Sequence, residues 1–124
     1  MILLDTNYLI KALVPDTDEA LRVHKWIEQD AELLTSVICW YEFLCGPVDG
    51  KGRELITSIL KDRVVPFSAD QAVEAARLFN LAGRKRALRV DSMIAAAAVL
   101  NQAALATDNR RDFSVFTEQG LRLI

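Results

Sequence analysis

Residues 1–7 read MILLDTN: an uninterrupted apolar run that ends in an acid, a threonine and an asparagine. A run this short, without polar alternation and closed by turn formers, specifies a strand buried on both faces, as in a parallel sheet. Asp5 then stands at the strand's carboxyl end, the edge where open α/β sheets bind their ligands. A carboxylate buried there needs a partner, whether a helix N-terminus, a cation or a metal. Taken alone, the stretch is equally satisfied if Asp5 simply caps a helix beginning near Thr6 or Asn7.

The rest of the chain alternates. Tyr8, Leu9, Ala12 and Leu13 recur at helical spacing over Asn7–Val14, and Pro15 stops them. Asp16–Glu19 is an acidic start to a second helix reaching about Gln29, with Ala20, Val23, Trp26 and Ile27 on its apolar side. Leu33–Thr35 predicts a strand, and Ser36 the N-cap of a helix, SVICWYEFLCG, closed by Gly46–Pro47. Gly50–Arg63 predicts a helix with Leu55, Ile56, Ile59 and Leu60 inward, and Val64–Phe67 a strand. From Ser68 or Ala69 to Lys85 runs a long amphipathic pattern with Ala72, Val73, Ala76, Phe79 and Leu81 as its apolar residues. Asp91–Gln102, almost wholly apolar past its first turn, predicts a buried helix, and Ala104–Ala106 a further parallel strand. Val115–Phe116 and Leu121–Ile124 carry lesser strand signals. Strands alternating with helices in this way define an α/β sandwich around a mostly parallel sheet.

Composition narrows the function classes. At 124 residues, 52% hydrophobic and 26% charged, the chain fits one compact domain. Its net charge of −2 supplies no global field for nucleic acid, so such a role has to rest on a local basic patch. Two runs offer one: Arg84, Lys85 and Arg86 with Arg89, and Arg110–Arg111. They serve equally as phosphate contacts or as an exposed solubilising patch. Cys39 and Cys45, six positions apart on one helix, lie about 9 Å apart, too far for a disulfide, which points to a reduced, cytoplasmic setting. No basic leader precedes the first strand, and the apolar run Met93–Leu100 is too short to span a membrane. The sole histidine, His24, reads as a surface residue, and without a cysteine cluster it makes no zinc site.

Three more acids join Asp5. Glu42 lies among Ile38, Trp40, Tyr41, Phe43 and Leu44, with no Lys or Arg at 38, 39, 45 or 46 to pair with it. Asp91 opens the buried helix, and Thr107–Asp108–Asn109 with Asp112 follows a strand. Each is expected at the same sheet edge. Two carboxylates about 4 Å apart repel by roughly 4 kcal/mol at an effective dielectric near 20. A group of them requires a cation, and hard oxygen donors without His or Cys select Mg²⁺ or Mn²⁺. Such an ion activates water and holds phosphate, the chemistry of phosphodiester hydrolysis.

LLDTN, TSVICWYEFLCG, VDSMIAAAA and LATDNRRDF, in this order and at these spacings, resemble the PIN-domain ribonucleases, and among them the VapC-type toxins of prokaryotic toxin–antitoxin pairs. The resemblance extends over nearly the whole chain and implies a PIN-like three-layer α/β/α sandwich, residues 1–124 forming a single PIN domain. It implies that Asp5, Glu42 and Asp91 are the metal-binding catalytic acids. In many relatives a fourth acid stands where this chain has Asn109; Asp112 is its expected replacement, with Asn109 assisting and Asp108 the substitute. Thr6, Asn7 and Thr107 are expected to orient the acids by hydrogen bonds. The resemblance further implies Mg²⁺-dependent endonucleolytic cleavage of single-stranded RNA by metal-activated water. It also implies a homodimer and a VapB-type antitoxin peptide across a groove of the early helices. Trp26, Trp40 and Phe43 either line that groove or belong to the core.

A non-cleaving PIN-like module that binds RNA or protein is the alternative from another class. A phosphoaspartate receiver needs paired acids after its first strand, and a haloacid-type phosphatase an acid two residues after Asp5. LLDTN provides neither.

Overall fold

A computed structural model describes residues 1–124. The expected strand is β1 (Ile2–Leu4), buried throughout. It lies at the centre of a five-stranded sheet with β2 (Leu33–Ser36), β3 (Val64–Val65), β4 (Ala104–Ala106) and β5 (Arg122–Leu123) in the order β3-β2-β1-β4-β5. Every pairing is parallel, including Ile2 with Leu33 on one side and Ile2 with Ala104 on the other.

The strand order carries the functional consequence. The chain builds outward from β1 through β2 to β3, then crosses back and adds β4 and β5 on the opposite flank. With right-handed crossovers this reversal puts helices on both faces of the sheet and opens a crevice between the carboxyl ends of β1 and β4. The α/β/α sandwich is therefore the observed architecture, with a sheet that is wholly parallel.

The helices are α1 (Thr6–Lys11), α2 (Asp18–Glu28), α3 (Val37–Leu44), α4 (Gly50–Leu60), α5 (Ala69–Leu81), α6 (Arg89–Leu100) and α7 (Arg110–Phe113). Several differ from the sequence reading. α2 begins at Asp18 because the Thr17 hydroxyl caps it and Asp16 adopts a left-handed φ of 66°. α4 stops at Leu60 rather than Arg63, since Lys61 and Asp62 have φ of 50° and 61°. Pro66 follows β3, which is confined to two residues. α5 ends at Leu81, where Gly83 (φ 95°) and Arg84 (φ 60°) turn the chain into a short 3-10 segment, Arg86–Leu88. α6 starts at Arg89, so Asp91 lies in its first turn instead of opening it.

Residues 115–116 are not a strand. Val115 and Phe116 belong to a 3-10 segment, Ser114–Gln119, that packs Phe116 against Phe113 with ring centroids 6.3 Å apart. Of the second lesser signal, Arg122–Leu123 pairs with β4 as β5.

The core unites Leu3, Leu9, Leu34, Phe43, Leu60, Leu105 and Phe113 with the alanines 95–98 of α6. Those alanines let α5 and α6 pack closely along their lengths. The buried face of α5 is Gln71, Ala75 and Leu78, one position away from the expected stripe, and Val73 and Leu81 face solvent. Ile27 and Leu55, expected inward, are also exposed. Cys39 and Cys45 are free thiols, and no helix is long and apolar enough to cross a membrane.

Candidate active site

Asp5 sits where β1 becomes α1, continuing the sheet by donating its N–H to the Ala106 carbonyl at 3.0 Å. Its carboxylate is 6% exposed and nonetheless well supplied with donors. The Thr6 N–H donates to Oδ1 at 2.8 Å, the Thr107 hydroxyl to Oδ2 at 2.6 Å, and the Cys39 thiol to Oδ1 at 3.5 Å. The capping role is thus real, and it holds the acid in place rather than accounting for it away from the crevice. Burial, followed by the neighbouring Asp5 charge, pushes the Cys39 thiol up to about 12, so it stays protonated and can donate.

Glu42 is exposed on α3, one turn beyond the buried Cys39. The Thr6 hydroxyl donates to its Oε1 at 2.9 Å, which links the second acid to the residue whose N–H donates to the first. Asp112 is exposed on α7, and the Asn109 amide donates to its Oδ2 at 3.1 Å. Asn109 is itself held by an N–H bond of 3.0 Å to the Thr107 hydroxyl, which also serves Asp5. One threonine therefore connects both ends of the crevice.

Asp91 faces these groups from the first turn of α6 with no hydrogen bond of its own within the chain. Burial pushes its carboxyl up to about 6, and the charges of Asp5, Asp112 and Glu42 push in the same direction. Asp5, Asp112 and Glu42 thus all lie near enough to Asp91 for their charges to act on it. None of the four forms an ion pair with a Lys or Arg. Neither do any three carboxylates converge closely enough to form a ready-made ligand cage.

Asp108, the substitute fourth acid, points elsewhere. The Lys11 ammonium holds its Oδ2 at 2.9 Å and also reaches Glu19 at 3.4 Å, and Asp108 is absent from the charges acting on Asp91. Asn7 is exposed and its side chain makes no hydrogen bond to any acid. Thr6, Thr107 and Asn109 make the orienting contacts expected of them. Cys39 and Lys11 escaped the sequence reading. The first had a usable signal, since it precedes Glu42 by three residues on one helix face.

The basic residues divide into two sets. The Arg84 guanidinium donates to Asn80 at 2.9 Å, Arg110 donates to the Ile124 carbonyl at 2.8 Å, and Arg89 lies over the Phe79 ring at 5.9 Å. Lys85, Arg86 and Arg111 are exposed and have no such partner. Of the aromatics, Trp26 and Phe43 belong to the core, Trp26 stacking on Tyr8 at 5.9 Å, and Trp40 is half-buried against Phe43.

The strand order of the parallel sheet reverses between β1, which ends at Asp5, and β4, which leads through Thr107 to Asp112. The PIN domain family profile matches residues 2–118, and the chain belongs to that family. Solved structures share the fold. FitAcB from Neisseria gonorrhoeae superposes with a TM-score of 0.76 at 24% identity, covering 100% of this chain and 96% of that one. A toxin–antitoxin complex from Klebsiella pneumoniae gives 0.73 at 24% identity, over 92% and 91%. VapBC2 from Rickettsia felis, bound to a DNA fragment from its promoter, gives 0.70 at 23% identity, over 100% and 98%. By sequence, no curated protein matches the chain.

Proposed function

We propose that this chain is a divalent-metal-dependent endoribonuclease and the toxin of a VapBC-type toxin–antitoxin pair. The observation that carries the reading is the hydrogen-bond chain that ties Glu42 to Asp5 through Thr6, and Asp5 to Asp112 through Thr107 and Asn109, at the sheet's switch point, with no cationic side chain paired to these acids or to Asp91. An all-carboxylate donor set with neutral oxygens around it suits Mg²⁺ or Mn²⁺. When bound, the ion supplies Lewis-acid activation of water and charge stabilisation at a phosphate.

The chain's own residues prepare that site. Thr107, the Thr6 N–H and the Cys39 thiol fix the orientation of Asp5; the Thr6 hydroxyl fixes Glu42; the Asn109 amide fixes Asp112. Asp91 is the acid with no partner in the chain, and it would be the ligand most stabilised in its charged form by a bound cation. Glu42 and Asp112 lie on the open side, where a phosphodiester enters. Asp108 takes no part, because Lys11 engages it.

The partners follow the same reading. Ile10, Leu13, Val14, Phe43, Gly46, Pro47 and Val48 line an apolar hollow of about 270 Å³ beside the helix that bears Glu42. It suits the apolar anchor of a VapB-type antitoxin peptide lying across the site. The toxin works in the cytoplasm as a homodimer. The toxin–antitoxin complex from Klebsiella pneumoniae, which shares the fold, supports the toxin part of this reading.

The test is direct. Purified protein is incubated with single-stranded RNA with and without Mg²⁺, beside Asp5→Asn, and both are expressed in cells to score growth. Cleavage that requires both Mg²⁺ and Asp5 is expected. Wild-type protein that binds Mg²⁺ and RNA yet cuts nothing would establish the non-cleaving module instead.

A further inference from the structure

The basic residues around the acid pocket are not equivalent, and the difference locates a path for the substrate. Arg84, Arg89 and Arg110 are occupied by Asn80, the Phe79 ring and the Ile124 carbonyl. Lys85, which precedes the 3-10 turn into α6, and Arg111, on α7, come from segments far apart in sequence yet border one open groove of about 360 Å³. Ala87, Leu88 and Val115 form its apolar wall, and Asp112 stands at its side.

This groove joins what one nucleotide of a single strand requires. Its cations meet phosphate, its apolar wall meets sugar and base, and its volume lies in the ~300–1,000 Å³ range of ligand pockets. A larger polar groove of about 580 Å³ along α4 makes a useful contrast. It mixes Arg53 and Lys61 with Glu54 and Asp62, so its charges cancel, and it adjoins none of the four pocket acids. The groove at Asp112 keeps two cations to one acid, and both cations are free of ion pairs within the chain.

We propose that the Lys85–Arg111 groove is a binding subsite for the nucleotide next to the scissile phosphate of single-stranded RNA, its phosphate held between the two cations. The proposal rests on the nuclease reading. Its test therefore separates binding from cutting.

A fluorescein-labelled single-stranded oligoribonucleotide is titrated with Asp5→Asn protein in EDTA across a range of salt concentrations. Lys85→Gln and Arg111→Gln, introduced in that background, are each expected to weaken binding roughly threefold to tenfold. Each should flatten the slope of log affinity against log salt by about 0.7, the value for one lost contact to a single strand. Arg84→Gln and Arg110→Gln serve as controls and leave the slope unchanged. Val115→Glu, which puts an anion on the apolar wall, weakens binding without removing a cation. All five positions are exposed, and thermal melts verify that the variants fold.

Slopes unmoved by Lys85→Gln and Arg111→Gln, or moved equally by the controls, overturn the subsite, as does a parent protein that binds no RNA. If wild-type protein with Mg²⁺ still cuts RNA in that case, the nuclease reading survives. Absence of any cutting by wild type, with the expected slopes observed, sinks the nuclease reading and leaves a binding groove.

Discussion

The two walls of the acid pocket are built on opposite principles. On the β1–β4 wall, Asp5 is buried but surrounded by donors from Thr6, Thr107 and Cys39, so taking its charge out of water is compensated locally. On the α6 wall, Asp91 is half-buried with no donor, and its carboxyl moves up to about 6. One wall is finished within the chain, whereas the other is left open to a partner from outside. The difference teaches where a cation would be felt: least in the set orientation of Asp5, most in the protonation of Asp91.

Asp5→Asn and Asp91→Asn break the comparison at its extremes. Each is expected to reduce RNA cleavage by about a thousandfold or more, on the scale of losing a group that stabilises reaction charge. Their stabilities should diverge. Asp91→Asn removes repulsion and raises the metal-free Tm at pH 7, whereas Asp5→Asn disturbs three donors and does not. A shift of this size, reduced for Asp91's partial exposure, corresponds to about 1 kcal/mol, or roughly 3–5 °C. Calorimetry of both variants checks this; an Asp91→Asn protein that melts lower than wild type would show that acid to be a structural support.

Thr107→Val attacks the finished wall from beneath. Leaving a buried carboxylate oxygen without its donor costs about 1–3 kcal/mol, and metal affinity should fall roughly tenfold to a hundredfold. Asn109 loses its anchor as well, so Asp112 should loosen. Isothermal titration with Mn²⁺ measures the loss, and unchanged affinity would remove Thr107 from the site's design.

The open wall also predicts a pH dependence. Because the folded carboxyl of Asp91 titrates above its unfolded value, the folded chain holds a proton that the unfolded chain has already released. Metal-free stability therefore falls as pH rises from about 4 to about 6, and is level above. Adding Mg²⁺ should raise the Tm at pH 7 and lose that effect near pH 5, where the proton competes. Thermal melts across this range, with and without Mg²⁺, test the sign.

The smallest effect concerns Lys11. Its ion pair with Asp108 is exposed, and Lys11→Met should leave the Tm almost unchanged. Metal affinity should change little, since Asp108 does not act on Asp91. A large loss of Mn²⁺ binding would return Asp108 to the site.

The parts of this structure legible in the sequence are those where one pattern had one physical solution. MILLDTN admitted little besides a buried strand with an acid at its edge, and Glu42 had no nearby cation to explain it. Where two solutions were close in energy, the reading slipped. On α5 the sequence reading favoured the stripe with Ala72, Ala76 and Phe79, because the stripe that is buried, Gln71, Ala75 and Leu78, contains a polar residue. Val115–Phe116 looks extended because it is β-branched and aromatic, yet Phe116 is more deeply buried by coiling onto Phe113. The Lys11–Asp108 pair joins segments that no local pattern relates, and the helix spacing that sets Cys39 beside Glu42 does not reach to the Asp5 carboxylate its thiol meets.

The hydroxyl that steadies Asp5 belongs to a residue 102 positions downstream. On a ribosome, the central strand emerges early and must wait for β4 before its second edge is covered and its acid is held. Nascent chains short of Thr107 thus hold their carboxylates unassembled, and the acid pocket takes shape only as the sheet closes around β4.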